Sequence, residues 1–138
     1  MNRITLVTLG VADLEAARAF YGRLGWRECE SHPGVAFFDC GGWRMGLFAL
    51  DALAEELGRP RESLGTGAST LAVNFPTPEE TDRAFAEALA AGAAEVRAPR
   101  AMDWGGHSGT WADPDGHLWE YACNPFWPMD ADGRLKGA

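Results

Sequence analysis

The sequence predicts an α+β fold in which two similar βαβββ modules make up one small domain. Three observations predict it. Each half opens on an apolar, strand-like stretch that passes through a turn into a helix with one apolar face. Both helices run into a glycine, Gly25 in the first half and Gly92 in the second, where a C-cap is expected. Each half also places an aspartate–glycine turn before its last apolar segment. Asp39-Cys40-Gly41-Gly42 precedes Trp43 to Phe48, and Asp113-Pro114-Asp115-Gly116 precedes His117 to Ala122. The order of features matches along both halves and reads as a duplication. Repeat 1 spans 3–50, a linker 51–68, repeat 2 69–125 and a C-terminal tail 126–138.

Ile4 to Leu9 alternates and is rich in β-formers, which predicts the first strand. Asp13 is placed to cap the first helix, whose apolar face is Leu14, Ala17, Phe20, Tyr21 and Leu24. Trp26 to Glu30 reads as a second strand. Val35 to Asp39 and Trp43 to Ala49 read as a hairpin across Cys40-Gly41-Gly42. Asp51 to Leu57 predicts a short helix inside the linker, followed by a Gly- and Pro-containing loop. The second half repeats the pattern. Thr70 to Phe75 is a strand, and Thr77 caps a helix with Pro78 at its first position and Glu79 and Glu80 in its first turn. Arg83-Ala84-Phe85 in this helix matches Arg18-Ala19-Phe20 in the first. Glu95 to Ala101 is a strand, and His107 to Ala112 with His117 to Cys123 form the closing hairpin.

Composition narrows the partners. A chain of 138 residues is long enough to bury a real core. A net charge of -8 repels phosphate backbones and anionic lipid, so neither nucleic acid nor a membrane surface is an expected partner. No apolar run is long enough to span a bilayer. Met1-Asn2-Arg3-Ile4 enters an apolar stretch without the pattern of a signal peptide, so a cytoplasmic location is expected. Cys29, Cys40 and Cys123 include no Cys-x-x-Cys pair and are expected to be buried thiols. Gly-x-Gly-x-x-Gly, Walker, Gly-x-Ser-x-Gly and His-Glu-x-x-His motifs are all missing. Dinucleotide, phosphoryl-transfer and zinc-protease chemistry therefore lack support.

Val11-Ala12-Asp13-Leu14 through Ala19-Phe20-Tyr21 to Leu24-Gly25-Trp26 resembles the opening of the glyoxalase / bleomycin-resistance / extradiol dioxygenase group, the vicinal oxygen chelate superfamily. Trp111-Ala112-Asp113-Pro114-Asp115-Gly116-His117-Leu118-Trp119-Glu120 is similar to its closing motif, and the resemblance covers residues 3 to 125. It implies curved mixed β-sheets around a cleft, helices on the outer face and a homodimer. It also implies four metal positions, one on the first and one on the last strand of each half. These fall on Leu6 (or Thr5 with a one-residue slip), Gly46, Thr70 (or Leu71 on the same slip) and Glu120. A catalytic divalent ion typically uses about three protein ligands. Only Glu120 offers a carboxylate, so no cofactor is expected, and a divalent metal would keep only Glu120 of the set.

Alternation sets Leu118, Glu120 and Ala122 on one strand face, with Trp119 and Tyr121 against the helices. Glu120 then faces the cleft, as a general base or as an anchor for a ligand amine. The structural alternative is a salt bridge, with Arg44 as candidate. His107, in the glycine-rich stretch Asp103 to Gly109, is the second candidate catalytic group because imidazole titrates near neutrality. The alternative for it is packing at the sheet edge. His32, beside Pro33-Gly34, reads as a solvated loop residue, and His117 as part of its turn. Six Trp exceed what a core of this size needs. Phe48, Trp104 and Trp111 are therefore expected to line the cleft, with Thr70, Asn74 and Arg44 as polar ligand contacts. The apolar tail Asn124 to Met129 is expected to cover a pocket or a partner subunit. Asp130-Ala131-Asp132-Gly133 reads as a tight turn rather than a calcium loop. Three functions follow, in order. The first is metal-independent small-molecule binding. The second is a lyase, isomerase or dioxygenase acting on a small oxygenated substrate through Glu120 and His107. The third is a non-catalytic dimerisation module.

Overall fold

The computed structural model describes residues 1–137. The chain forms two compact units, Met1–Thr66 and Gly67–Ala138. In the first, β1 (Leu6–Val11), α1 (Leu14–Arg23), β2 (Glu28–His32), β3 (Val35–Asp39) and β4 (Arg44–Ala49) are followed by α2 (Leu50–Leu57). The sheet order is β1-β4-β3-β2, with β1 parallel to β4 and the other pairs antiparallel. In the second, β5 (Thr70–Asn74), α3 (Pro78–Ala91), β6 (Ala94–Ala101), β7 (His107–Ala112) and β8 (Leu118–Cys123) give the same order, β5-β8-β7-β6. Each unit is thus a βαβββ module with a four-stranded mixed sheet. No helix of the described residues is long and apolar enough to cross a membrane.

Local chemistry sets the element ends. The Asp13 carboxylate accepts the amide of Ala16, and the Thr77 hydroxyl accepts that of Glu80, so both long helices start on a side-chain cap. Beyond each helix stands a glycine with positive φ, Gly25 at 91° and Gly92 at 114°, which lets the chain leave the helix without Cβ strain. The two aspartate turns also work alike. The Asp39 carboxylate accepts the Gly41 amide, and the Asp113 carboxylate accepts those of Asp115 and His117.

Two strands lie further along the chain than alternation suggests. The first strand is Leu6–Val11 rather than Ile4 to Leu9, because its parallel partner β4 begins at Arg44, in register with Leu6. The second is Glu28–His32 rather than Trp26 to Glu30. Trp26 is held back by two contacts: its amide donates to the Tyr21 carbonyl, and its ring packs edge-on against Tyr21 and Phe38. His32 is therefore a strand residue and not part of a loop.

The first core joins Phe20 and Tyr21 of α1 to Leu9, Val11, Phe38, Met45 and Leu47 of the sheet. The second joins Phe85 and Ala88 of α3 to Trp111, Trp119 and Tyr121. Burying one such side chain stabilises the fold by about 1.5–3 kcal/mol. Trp111 and Trp119 stack with centroids 5.5 Å apart and planes 7° from parallel, and Tyr121 meets Trp111 edge-on at 5.4 Å. Alongside, α2 closes over the other face of the first sheet. Leu50 and Leu53 occupy the space beside Gly10, where a Cβ would lie 2.7 Å from Leu50 Cδ2.

Candidate functional site

Strand register decides which residues share a surface, because cross-strand partners project to the same side. In the second unit Ala72, Glu120 and Thr110 lie side by side on β5, β8 and β7. Thr70, Asn74, Leu118, Ala122 and Ser108 share that side by alternation and register. The opposite side carries Trp111, Trp119, Tyr121 and Cys123 and packs on α3. Glu120 therefore stands on the sheet face turned away from α3, with Thr70 and Asn74. Its neighbours Ala72 and Thr110 are small. The Glu120 side chain is half-buried and has no hydrogen-bond or ion-pair partner among the described residues.

His107 is not on this face. It pairs with Cys123 across β7 and β8, and its Nε2 lies 2.6 Å from Oδ1 of Asp82 on α3. The odd-numbered residues of β7 face the helix, so the sheet itself separates His107 from Glu120. The His107–Asp82 pair ties α3 to the sheet. The thiol of Cys123 is on the same side and is pushed up by burial and then by Glu79 and Glu80. Such a thiol is a poor nucleophile.

Trp111 is likewise displaced from the expected surface. It is 0% exposed and stacked in the α3 core, because its register partner is Trp119. Trp104 lies in the turn between β6 and β7, where Gly106 seats its ring so closely that a Cβ there would overlap it. Gly106 continues the alternation of Ser108 and Thr110, so this half-exposed ring closes one end of the Glu120 face.

The equivalent face of the first sheet is filled differently. Leu6, Thr8 and Gly10 of β1 lie beside Arg44, Gly46 and Phe48 of β4. Gly46 stands where the second sheet has Glu120. A Cβ at Gly46 would sit 3.2 Å from the Phe37 ring and 3.5 Å from Leu6 Cδ1. Phe48 is half-buried on this face, opposite Gly10, towards the end that α2 covers. Arg44 has its partner within its own sheet: Nη1 lies 2.6 Å from Glu30 Oε2, and Glu30 Oε1 lies 2.7 Å from His32 Nε2. These two neighbours hold the Glu30 carboxyl below its usual range, His32 first and then Arg44. The carboxylate that Arg44 meets is Glu30, not Glu120. Glu30 and Asp82 carry no motif, and only register and helix position mark them. Cys29 is exposed at a β2 bulge rather than buried, whereas Cys123 is buried. The tail turns tightly at Asp130, whose carboxylate accepts the amides of Asp132 and Arg134. Phe126, Trp127 and Leu135 of the tail are exposed around a shallow pocket of about 220 Å³.

The model of the Glyoxalase/Bleomycin resistance protein/Dioxygenase superfamily matches residues 3–121, most of the chain. The chain belongs to this superfamily. A glyoxalase-related enzyme from Fulvimarina pelagi is 34% identical, with all of this chain and 99% of that one covered at a TM-score of 0.91. A glyoxalase/bleomycin resistance protein/dioxygenase from Nocardioides is 26% identical, with 100% and 87% covered at a TM-score of 0.75. The lactoylglutathione lyase of Agrobacterium tumefaciens, 23% identical over 94% and 99% with a TM-score of 0.70, shares the fold. No curated protein matches the chain. At the superfamily's four metal positions, Leu6 shares its face with Gly46, and Thr70 shares its face with Glu120. This donor set, with a single carboxylate, does not fit a divalent ion. Among the described residues, no three His, Cys, Asp or Glu side chains are grouped to hold one.

Proposed function

We propose that this superfamily member binds a small molecule on the Glu120 face of its second sheet, without the metal that the superfamily's enzymes use. One observation carries the reading. Glu120 is a half-buried carboxylate with no partner among the described residues, set between the small residues Ala72 and Thr110. A carboxylate held out of bulk water gains most from a cationic or strongly hydrogen-bonding ligand. Trp104 at the end of the face offers a flat ring for a planar ligand. Titration calorimetry against a panel of planar cationic and aromatic compounds tests this, on wild type and on Glu120→Gln. Wild type is expected to bind at least one compound, and the variant to bind it about tenfold more weakly, near 1.4 kcal/mol. Equal affinity in both proteins overturns the reading. So does turnover that requires stoichiometric metal, measured by elemental analysis of the active protein.

A second reading, in which Glu120 is the general base of a lyase or isomerase, is supported by the 34% identical glyoxalase-related enzyme. It predicts that Glu120→Gln abolishes turnover while binding persists.

A further inference from the structure

The Glu120 face also carries positive charge. The registers lay two rows across the second sheet. One runs Ala72, Glu120, Thr110, Arg97, and the next runs Asn74, Ala122, Ser108, Arg100. Partners in register share a face, so Arg97 and Arg100 stand on the side of Glu120.

Simple alternation would not put them there. Along an unbroken strand, residues three apart point to opposite sides. Arg97 and Arg100 share a side because β6 is bulged twice, between Glu95 and Arg97 and between Arg97 and Arg100. At either end Glu95 and Ala101 pair with Trp111 and His107 and return to the α3 side. Bulges re-aim side chains in this way. Two residues build the second bulge. Pro99 has no amide hydrogen to leave unpaired, and Gly109 opposite makes room for it. A Cβ at Gly109 would lie 2.7 Å from the Pro99 nitrogen.

Edge-strand protection explains charge and a proline on β6, which is the outer strand of its sheet. It does not require both arginines on one face. The side chains also stay unengaged. Arg18, Arg44, Arg61 and Arg134 stand in ion pairs, whereas neither Arg97 nor Arg100 has a hydrogen-bond or ion-pair partner among the described residues. Arg97 and Glu120 are two strand spacings apart, about 9.5 Å between backbones. Only Thr110 stands between them in that row, so this part of the face carries opposite charges at its two sides.

We propose that this face takes a small zwitterion, with its oxyanion, a carboxylate, on Arg97 and Arg100 and its amine on Glu120. The assignment rests on the Glu120 binding reading and names the ligand class. Guanidinium suits the anion because its fork meets two oxygens at once. Thr110 and Asn74, both half-buried, offer side chains able to hydrogen-bond either end, and Ser108 beside them is buried.

The test is calorimetry with linear amino carboxylates from glycine to aminohexanoate, alkylamines of the same lengths, and the matching aminophosphonates. The proteins are wild type, Arg97→Gln/Arg100→Gln, Arg97→Lys/Arg100→Lys and Glu120→Gln, with circular dichroism to confirm folding. An amino carboxylate of matching length is expected to bind wild type. The Gln pair should weaken it at least about tenfold while leaving the alkylamine unchanged, and the Lys pair should restore part of the loss. Tighter binding of the phosphonate, lost in the same Gln pair, supports the anion site and assigns it to phosphonate. Equal affinities in wild type and the Gln pair, or no binding by any probe, overturn the proposal. If only Glu120→Gln weakens the amines, the anion site falls and the Glu120 reading stands. If only the arginine variants weaken binding, the Glu120 reading falls.

Discussion

Replacing Trp111 separates a core residue from a ligand contact. Trp111 is fully buried, stacked on Trp119 at 5.5 Å and edge-on to Tyr121 at 5.4 Å. Truncating a buried Trp to Ala costs about 3–5 kcal/mol, and two lost ring contacts place Trp111→Ala in the upper part of that range. A domain is stable by only about 5–15 kcal/mol, so this variant stands near the edge of folding. Trp111→Phe keeps a ring against Tyr121 and should lose about 1–2 kcal/mol, which for this size lowers Tm by about 3–10 °C. Urea unfolding followed by far-UV circular dichroism measures both. Binding at the Glu120 face should be unchanged in Trp111→Phe, because the sheet lies between them. Wild-type stability with affinity lowered tenfold in Trp111→Phe would falsify the assignment of the two sheet faces.

Three further outcomes follow from single groups. Burial, and then Glu87, pushes the Tyr121 phenol up to about 12. The neutral phenol is thus favoured in the folded state. Its contribution, about 2–3 kcal/mol, is full below pH ~10 and is lost as pH rises through about 12. Tyr121→Phe should remove that alkaline loss, and an unchanged alkaline melt would rule the cause out. A thiol reagent should label exposed Cys29 first and Cys123 last in the folded protein, since burial and Glu79 and Glu80 raise the Cys123 thiol. Equal rates would contradict this. Gly46→Glu should destabilise by about 2–4 kcal/mol, because its side chain would enter beside the Phe37 ring. In a double-mutant cycle, adding Phe37→Thr should recover at least about 0.5–1 kcal/mol beyond additivity, and strict additivity in urea midpoints would show that Phe37 is not what excludes it.

Much of this was legible in the residues. The helix caps, the aspartate turns and the parity of Glu120 against Trp119 and Tyr121 each follow from local chemistry. The positions of Trp111 and His107 are also readable in principle. The Asp113–Gly116 turn sets Ala112 opposite Leu118, and from that register both residues fall on the α3 side. Counting aromatics points elsewhere because it ignores register. Tertiary pairing decides the rest. The first strand starts at Leu6 because β4 offers its partner at Arg44, and nothing local stops Ile4 from being extended. Arg97 and Arg100 look like residues of opposite faces until the bulges are known. Their written sign is Pro99 within an otherwise strand-like run, with Gly109 across from it.

The difference between the two sheets is a matched exchange rather than simple loss. Gly46 and Glu120 hold the same place, and so do their β3 and β7 partners, Phe37 and Thr110. In the first sheet a large ring leans over a glycine, and in the second a long carboxylate rises beside a threonine. The volume taken from one position is given to its neighbour, as close packing requires. A glycine left only by decay of a ligand position would leave a gap beside it. Here Phe37 and Leu6 both come within 3.5 Å of the missing Cβ, so the first sheet is closed against a side chain at that point. The second keeps a carboxylate there, the only charged side chain among Leu6, Gly46, Thr70 and Glu120. The second face therefore carries an acid with no partner among the described residues on one strand and two re-aimed arginines at its edge, the charge arrangement on which the proposed ligand reading rests.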